Sequence, residues 1–362
     1  MTTPVSSTSH NSPLTVLVLA VGGNVSQGIL KALAKSTLNV RVLGADISAM
    51  KMGLYTVDRA YVSPWANQPE FLPWLIKVCK DEKVDVVLSG AEPVLHILSI
   101  HKNEIEGQTQ AFCLVSDPVT FQIGDDKLRT CQWLDSQGLR TPRYADASDQ
   151  QAVSTLIEEC GYPLIAKPRK GGGAHGIFSV QKVEDAILAA DKGGYLLQEY
   201  VGTEDEEYTV GCFCDRHQNI RGSIVMKRDL LAGTTFRAVI GDFPEMRQEA
   251  ESITAALAPM GPCNIQMRLD KYGPVCFEIN ARFSGTTPMR AHFGFNEVEW
   301  AIRHFVLGED MIDLPLVTEG IALRYWNELY IDAGSCRQLG DTGSLDRPGT
   351  DQVALEDYGL ES

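Results

Sequence analysis

Cys263-Asn264-Ile265-Gln266, a short interval, and then Phe277-Glu278-Ile279-Asn280-Ala281-Arg282-Phe283-Ser284-Gly285 is the stretch whose reading decides the fold. In an extended strand side chains alternate between faces, so Glu278, Asn280 and Arg282 are expected on one face and Phe277, Ile279, Ala281 and Phe283 on the other. The tetrad Asp270-Lys271-Tyr272-Gly273, followed by Pro274, is turn-forming, so the two runs are expected to pair as a hairpin that brings Gln266 near Glu278 and Asn280. One such strand alone would ordinarily be an amphipathic edge with a solvated face. Gln, Glu and Asn oxygens beside an Arg suit instead a divalent cation, Mg²⁺ or Mn²⁺, holding a polyphosphate.

Upstream, Tyr162-Pro163-Leu164-Ile165-Ala166-Lys167-Pro168 leads into Arg169-Lys170-Gly171-Gly172-Gly173-Ala174-His175-Gly176 and then the apolar run Ile177 to Val180. Glycines let backbone N–H groups approach phosphate oxygens, so the loop reads as a lid over a triphosphate. It lacks the GK[ST] ending of a Walker loop, and a strand follows it, so neither a P-loop nor a dinucleotide fingerprint fits. Tyr195-Leu196-Leu197-Gln198-Glu199-Tyr200-Val201 is an apolar strand whose end can offer backbone groups and one carboxylate to an adenine edge. Among Glu204 to Glu207 only Glu207 leads directly into a strand, expected over Tyr208 to Phe213, so only it has a fixed direction. Met226-Lys227-Arg228-Asp229 puts two adjacent cations at the end of an apolar run, where alternation would turn only one toward a site.

Together these segments resemble the ATP-grasp superfamily, in particular the carbamoyl phosphate synthase large chain and its short single-unit carboxylate-amine ligase relatives, over roughly residues 14 to 330. The resemblance implies an ATP-dependent ligase that makes an acyl phosphate from a carboxylate, passes it to an amine or ammonia, and releases ADP and phosphate. It implies ATP contacts at Lys127, Lys167, Gly171, Gly172, Gly173, Gly176, Glu199, Val201 and Glu207. In detail Glu199 would face the adenine amine, the Val201 backbone would lie alongside, and Glu207 would take the ribose. The metal ligands would be Gln266, Glu278 and Asn280, and Arg282 and Arg228 would act on the transferring phosphoryl group. Gly23, Asn24, Glu92, Ser284 and Arg290 are substrate-side candidates, with plain turn and helix-cap roles open for the first three. His175, in the lid, reads as a solvent-facing residue, with a proton carrier as the alternative. The large synthetase chain carries two tandem units and this sequence shows no repeat, so activation of bicarbonate to carbamoyl phosphate is an alternative with less support. A non-catalytic ATP-binding regulator is a third reading, against which the complete Gln-Glu-Asn-Arg set argues.

The resemblance implies an α/β protein, α+β in its ATP-grasp part: a Rossmann-like pre-ATP-grasp domain at 14–118 followed by a two-lobed ATP-grasp domain at 119–332. The residues agree in the first unit, where Leu14 to Val21, Gln27 to Ala34, Val40 to Ala45 and Val84 to Leu88 alternate between strand and helix patterns. Residues 1–13, polar and Ser/Thr-rich, are expected to be a disordered tail. Ala322 to Leu329 is expected as a last strand, and 333–362 as a loosely ordered tail.

A 362-residue chain with 44% hydrophobic residues can bury a large core. A formal charge of −15 argues against a nucleic-acid surface. No segment is apolar enough for a membrane span, and nine scattered cysteines suggest neither a disulfide framework nor a CxxC site, so a cytoplasmic location is expected. The expected partners are a small-molecule carboxylate and an amine, with a homodimer as a possible assembly.

Overall fold

The computed structural model describes residues 12–310, 319–348 and 353–355. The expectation for residues 1–13 falls almost wholly outside them. The amino-terminal unit is a parallel sheet of β1 (Leu14–Leu19), β2 (Val40–Asp46), β3 (Arg59–Val62), β4 (Val86–Ser89) and β5 (Phe112–Cys113), in the spatial order β3-β2-β1-β4-β5. Helices α1 (Asn24–Ala34), α2 (Phe71–Asp81) and α3 (Glu92–Gln108) cross over it. All six residues of β1 are buried, because helices cover both faces of the sheet. Val16 and Val18 feed one core cluster while Leu17 and Leu19 feed the other, as a two-residue period requires.

A small sheet follows, made of β6 (Tyr144–Asp146), β7 (Leu164–Pro168), β8 (Phe178–Val180) and β9 (Tyr195–Glu199) in the order β6-β9-β7-β8. Helix α4 (Pro118–Asp125) precedes it and packs on α3, while α5 (Lys127–Ser136), α6 (Gln150–Cys160) and α7 (Val183–Lys192) pack on the sheet itself. Asp117 and Asp126 cap α4 and α5 through their carboxylates, which satisfies first-turn amides and fixes where each helix begins.

The larger second sheet contains β10 (Glu207–Cys214), β11 (Ile220–Leu231), β12 (Thr234–Ile240), β13 (Gly261–Asp270), β14 (Gly273–Asn280) and β15 (Gly320–Leu323), in the order β14-β13-β10-β11-β12-β15. Helix α8 (Pro244–Leu257) covers it, and Met246, Ala250, Ile253 and Leu257 pack on Val210, Val225 and Ile265. Short helices α9 (Thr287–His292) and α10 (Glu297–Ala301) carry the chain back against α1, where Asn296 Nδ2 donates to the Ala32 carbonyl. The protein is thus α/β at its amino terminus and α+β beyond it.

Two expectations are corrected. The single strand expected over 322–329 is two, β15 and β16 (Leu329–Ile331), separated by residues 324–328 outside regular structure. The tail expected beyond 332 instead forms α11 (Ala333–Thr342) and β17 (Ser344–Asp346), after which β18 (Val353–Leu355) pairs with β16. β17 adds antiparallel to β3 through Ser344–Tyr61, Leu345–Ala60 and Asp346–Arg59, and Leu339 enters the amino-terminal core. Pairing with an open sheet edge orders a segment whose own hydrophobic pattern is too sparse to specify it. Residues 349–352 and 356–362 of the expected tail lie outside the described residues.

Candidate active site

The β13–β14 hairpin sets Gln266 opposite Glu278 and Asn264 opposite Asn280. Its register shifts at Gln266/Met267, where Met267 pairs with Cys276 and Phe277 is the extra residue. That bulge overturns the strict alternation expected for this strand. Cys276 takes the core position and Phe277 turns toward the site, with the Lys167 ammonium 4.9 Å above its ring. Glu278 Oε1 accepts from Gln266 Nε2 at 3.1 Å and from Asn280 Nδ2 at 2.9 Å, so the three side chains converge. Among the described residues no three His, Cys, Asp or Glu side chains form a metal cluster. One carboxylate with two amides is a hard-oxygen set too small to enclose an ion. It fits Mg²⁺ or Mn²⁺ whose remaining ligands are phosphate oxygens and water, once the amide oxygens turn inward.

The hairpin forms one wall of a cavity of about 350 Å³. Arg228, from β11, lies on that wall and is buried, with Nη2 donating to Gln266 Oε1 and to Glu207 Oε1, both at 2.7 Å. Lys227 points away to Glu206 at 3.0 Å. Across the cavity the amino-terminal unit contributes Gly23, Asn24 and Glu92. Arg282 is held there by Glu92, to which Nε donates at 3.1 Å and Nη2 donates as well. Burial is the largest influence and would raise the Glu92 carboxyl, but Arg282, a backbone hydrogen bond and Lys127 together leave Glu92 below its ordinary value. Ser284 lines the same cavity, with its hydroxyl paired to that of Thr286 at 2.8 Å, and Asn24 Oδ1 accepts from Arg324 at 3.0 Å.

Arg290 is not at this surface. It is fully buried behind the wall, ion-paired with Glu297 and donating to Asn264 Oδ1, so it braces the wall rather than meeting a substrate. Asn264, which does line the cavity, keeps a buried Nδ2 without a hydrogen-bond partner. An unpaired buried donor is costly, and among the described residues this one finds no acceptor.

A second cavity, of about 260 Å³, opens between the two sheets against the lid, with Ile165, Lys167, Glu199, Val201, Arg268 and Phe277 among its walls. Lys167 Nζ donates to Gln198 Oε1 at 2.8 Å. Burial lowers the Lys167 ammonium to about 8, even though Glu278 pulls the other way. Lys127 is buried and donates to the Gly171 carbonyl at 2.7 Å, so it holds the root of the lid. Glu199 lines this cavity, and its Oε2 accepts from the Arg143 amide at 3.2 Å. Glu207 departs from its expected ribose contact: it is buried and clamped, Oε1 by Arg228 and Oε2 by Arg268 at 2.8 Å. Burial would raise its carboxyl, and the two guanidiniums instead leave it low.

Gly172 and Gly173 reach the 350 Å³ cavity, and Tyr195 donates its hydroxyl to the Gly176 carbonyl at 3.1 Å. His175 is exposed, with Nδ1 2.8 Å from the Gly173 carbonyl. The lid rests on the β11–β12 turn. A Cβ on Gly233, whose φ is +72°, would lie 2.2 Å from the Gly173 oxygen, so this approach requires glycine.

Asn264 was quoted with Gln266 but given no role, and Arg268 and Gln198 were not singled out from sequence. A signal existed for Asn264 and Arg268, because they continue the Gln266 face of one strand at a two-residue period. Gln198 carried none beyond its place beside Glu199.

A family model described as ATP-grasp in the biosynthetic pathway with Ter operon matches residues 193–329, and one described as PylC-like, N-terminal domain, matches 16–111. The D-alanine–D-alanine ligase of Xylella fastidiosa is 38% identical over 117 residues, 29% of this chain and 38% of that protein. The carbamoyl phosphate synthase large chain of Haemophilus ducreyi is 25% identical over 335 residues, 84% of this chain and 30% of that one. The chain therefore spans only about a third of the length of these relatives. Among solved structures, N5-carboxyaminoimidazole synthetase from Staphylococcus aureus with ADP superposes at TM-score 0.70 and 14% identity, covering 91% of this chain and 85% of that one. The biotin carboxylase domain of Hydrogenobacter thermophilus 2-oxoglutarate carboxylase gives 0.68 and 14%, covering 97% and 85%. At these identities the structural likeness speaks for fold.

Proposed function

We propose, from the premise that this chain belongs to the ATP-grasp superfamily, that it is an ATP-dependent carboxylate-amine ligase working through an acyl phosphate. The observation that carries the reading is the convergence, on one cavity, of Gln266, Glu278, Asn280, Arg282 and Arg228 from the large sheet with the lid glycines and Glu92 of the amino-terminal unit. ATP would place its base in the 260 Å³ cavity beside Lys167, Glu199 and Val201, and its phosphates beneath the lid toward Glu278. Mg²⁺ or Mn²⁺, held by Glu278, Asn280 and Gln266, would supply Lewis-acid polarisation of the phosphoryl group.

A carboxylate oxygen of the acceptor attacks the γ-phosphorus and the bond to the β-phosphate oxygen breaks, releasing ADP. The amine nitrogen then attacks the acyl carbon, phosphate leaves, and the amine's surplus proton passes to solvent. Arg228 and Arg282 stabilise charge on the transferring group, and Lys167 neutralises the nucleotide phosphates. The acceptor carboxylate competes with Glu92 for Arg282, so binding it loosens a contact between the amino-terminal unit and the hairpin. Lid closure excludes water, which keeps the acyl phosphate for the amine.

No residue of the chain forms a covalent intermediate in this scheme. The carbamoyl-phosphate alternative has less support, since the matched relative is more than three times the length that this chain covers. The test is ADP release with ATP, Mg²⁺ and crossed pools of carboxylates and amines, with mass analysis of products. Release that requires one carboxylate and one amine is expected. Release that bicarbonate alone supports, or none with any pair, would overturn the ligase reading.

A further inference from the structure

A third cavity, of about 360 Å³, lies on the amino-terminal sheet. That volume is near the lower end of small-molecule sites, which run from roughly 300 to 1,000 Å³. It sits outside the carboxyl ends of β1 and β2, below the loop that follows β3, and against the first turn of α3. Strand order reverses at β1, with β2 and β3 to one side and β4 and β5 to the other. In open parallel sheets that crevice is where ligands bind.

The walls are apolar: Leu19, Pro64, Trp65, Phe71, Pro93 and Val94 contribute most of them. Among the lining residues no side chain is cationic, so nothing there would hold a phosphate or a carboxylate. The single charged wall residue, Asp46, is already committed, accepting from the Gly22 amide at 2.7 Å and from the Ile47 amide at 2.8 Å. Trp65 is 58% exposed on the loop above the cavity, an aromatic face left for a ligand to cover.

This cavity abuts the polar chamber, because Ala20 and Ala91 are walls of both. Residues 91–93 divide them: Glu92 turns to Arg282 and the chamber, while Pro93 faces the apolar side. Ala20 and Ala91 carry only methyl side chains.

We infer that the apolar cavity is the specificity pocket for the acceptor acid. On the ligase reading above, on which this inference rests, the carboxylate lies in the chamber beside Arg282 while an uncharged aliphatic or aromatic tail passes over Ala20 and Ala91 into the cavity beneath Trp65. The preferred substrate is then a carboxylic acid with a bulky apolar tail. Short polar acids and phosphorylated sugars are excluded, since the cavity has no group to hold their charges.

The probes are acetate, butyrate, hexanoate and octanoate, titrated calorimetrically into the full-length protein and into Ala66→Trp, which fills the pocket from its loop. A second filler on the same loop, Asn67→Trp, gives an independent comparison should the first not fold, and ATP binding in each variant reports that the rest of the site is intact. Affinity is expected to rise by about fourfold for each methylene buried, until the cavity is full. Both fillers are expected to flatten the series while leaving acetate unchanged. Affinity independent of tail length, octanoate that does not bind, or the same rise in the filled variants would overturn the inference. Failure of the ligase reading is a separate result, seen as absent ADP release whatever the tail series shows.

Discussion

The two sheets that face each other across the proposed nucleotide cleft are built differently. In the large sheet every residue of β10 is buried, and the core beneath β10, β11 and β13 is mostly Val, Ile, Leu, Met and Cys under α8. Its polar side is cross-tied by Glu207, Arg228, Arg268 and Gln266. The small sheet has short strands over a core rich in alanine, including Ala145, Ala166, Ala186 and Ala189, and it extends a glycine loop whose residues are exposed. The first arrangement is densely packed and cross-tied, and the second is more open. Chemistry that needs fixed ligands belongs on the large sheet, and capture of a nucleotide belongs on the small one.

The largest effect expected from that contrast is on the fixed side. Glu278→Ala removes the one carboxylate to which both amides point, and turnover should fall by roughly 10²–10³-fold with the melting temperature little changed. Steady-state ADP release paired with thermal unfolding checks both halves, and near-normal turnover in this variant would break the division of labour.

A smaller effect is expected where the two sides meet. Gly233→Ala forces a side chain into left-handed backbone and against the Gly173 oxygen. Strain of about 1–2 kcal/mol should weaken ATP binding by roughly five- to thirtyfold while leaving unliganded β13–β14 unaffected. Hydrogen exchange sharpens the comparison: Gly171 to Gly176 should gain protection with ATP and Mg²⁺, and the interior amides of β10 should not change. Equal protection of the lid with and without nucleotide would make it a static turn.

Lys167 supplies a pH test. Its ammonium titrates near 8 in the free protein because burial disfavours the charge, and bound phosphates would raise that value. ATP affinity is therefore fully present below pH 8 and should decline by about tenfold between pH 7 and 9, with proton uptake on binding. Calorimetry in buffers of different ionisation enthalpy reads the uptake, and Lys167→Met should abolish it. The smallest effect is expected at Glu199, whose Oε2 already accepts from the Arg143 amide. Glu199→Gln should alter ATP affinity by less than about threefold, since the amide oxygen can accept from the same donor. A loss of ten- to a hundredfold there would restore a direct contact with the adenine amine.

The hairpin was legible in the sequence because its information is local: a two-residue period, a turn-forming tetrad, and ordered polar types bring Gln266 to Glu278. The bulge was not, since one extra residue in a strand leaves no mark on composition, and Phe277 was misassigned to the core for that reason. Arg290 and Glu207 show a different limit. A buried ion pair and a ligand-facing charge draw on the same residue types; for Glu207 the deciding partner is Arg268, far along the chain, and for Arg290 it is the nearby Glu297, whose burial beside it no local pattern announces. The residues after 332 were unreadable because their order comes from the exposed edge of β3, some 280 residues earlier. The apolar cavity is likewise assembled from the ends of several strands and carries no motif.

The most direct test of the central claim follows the oxygen. With ¹⁸O-labelled carboxylic acids, amines, ATP and Mg²⁺, carboxylate activation requires that the phosphate released with ADP carry one labelled oxygen from the acid, and that Glu278→Ala release no labelled phosphate above background. Phosphate whose new oxygen comes only from water would contradict the account, because ATP would then be hydrolysed without an acyl phosphate ever forming.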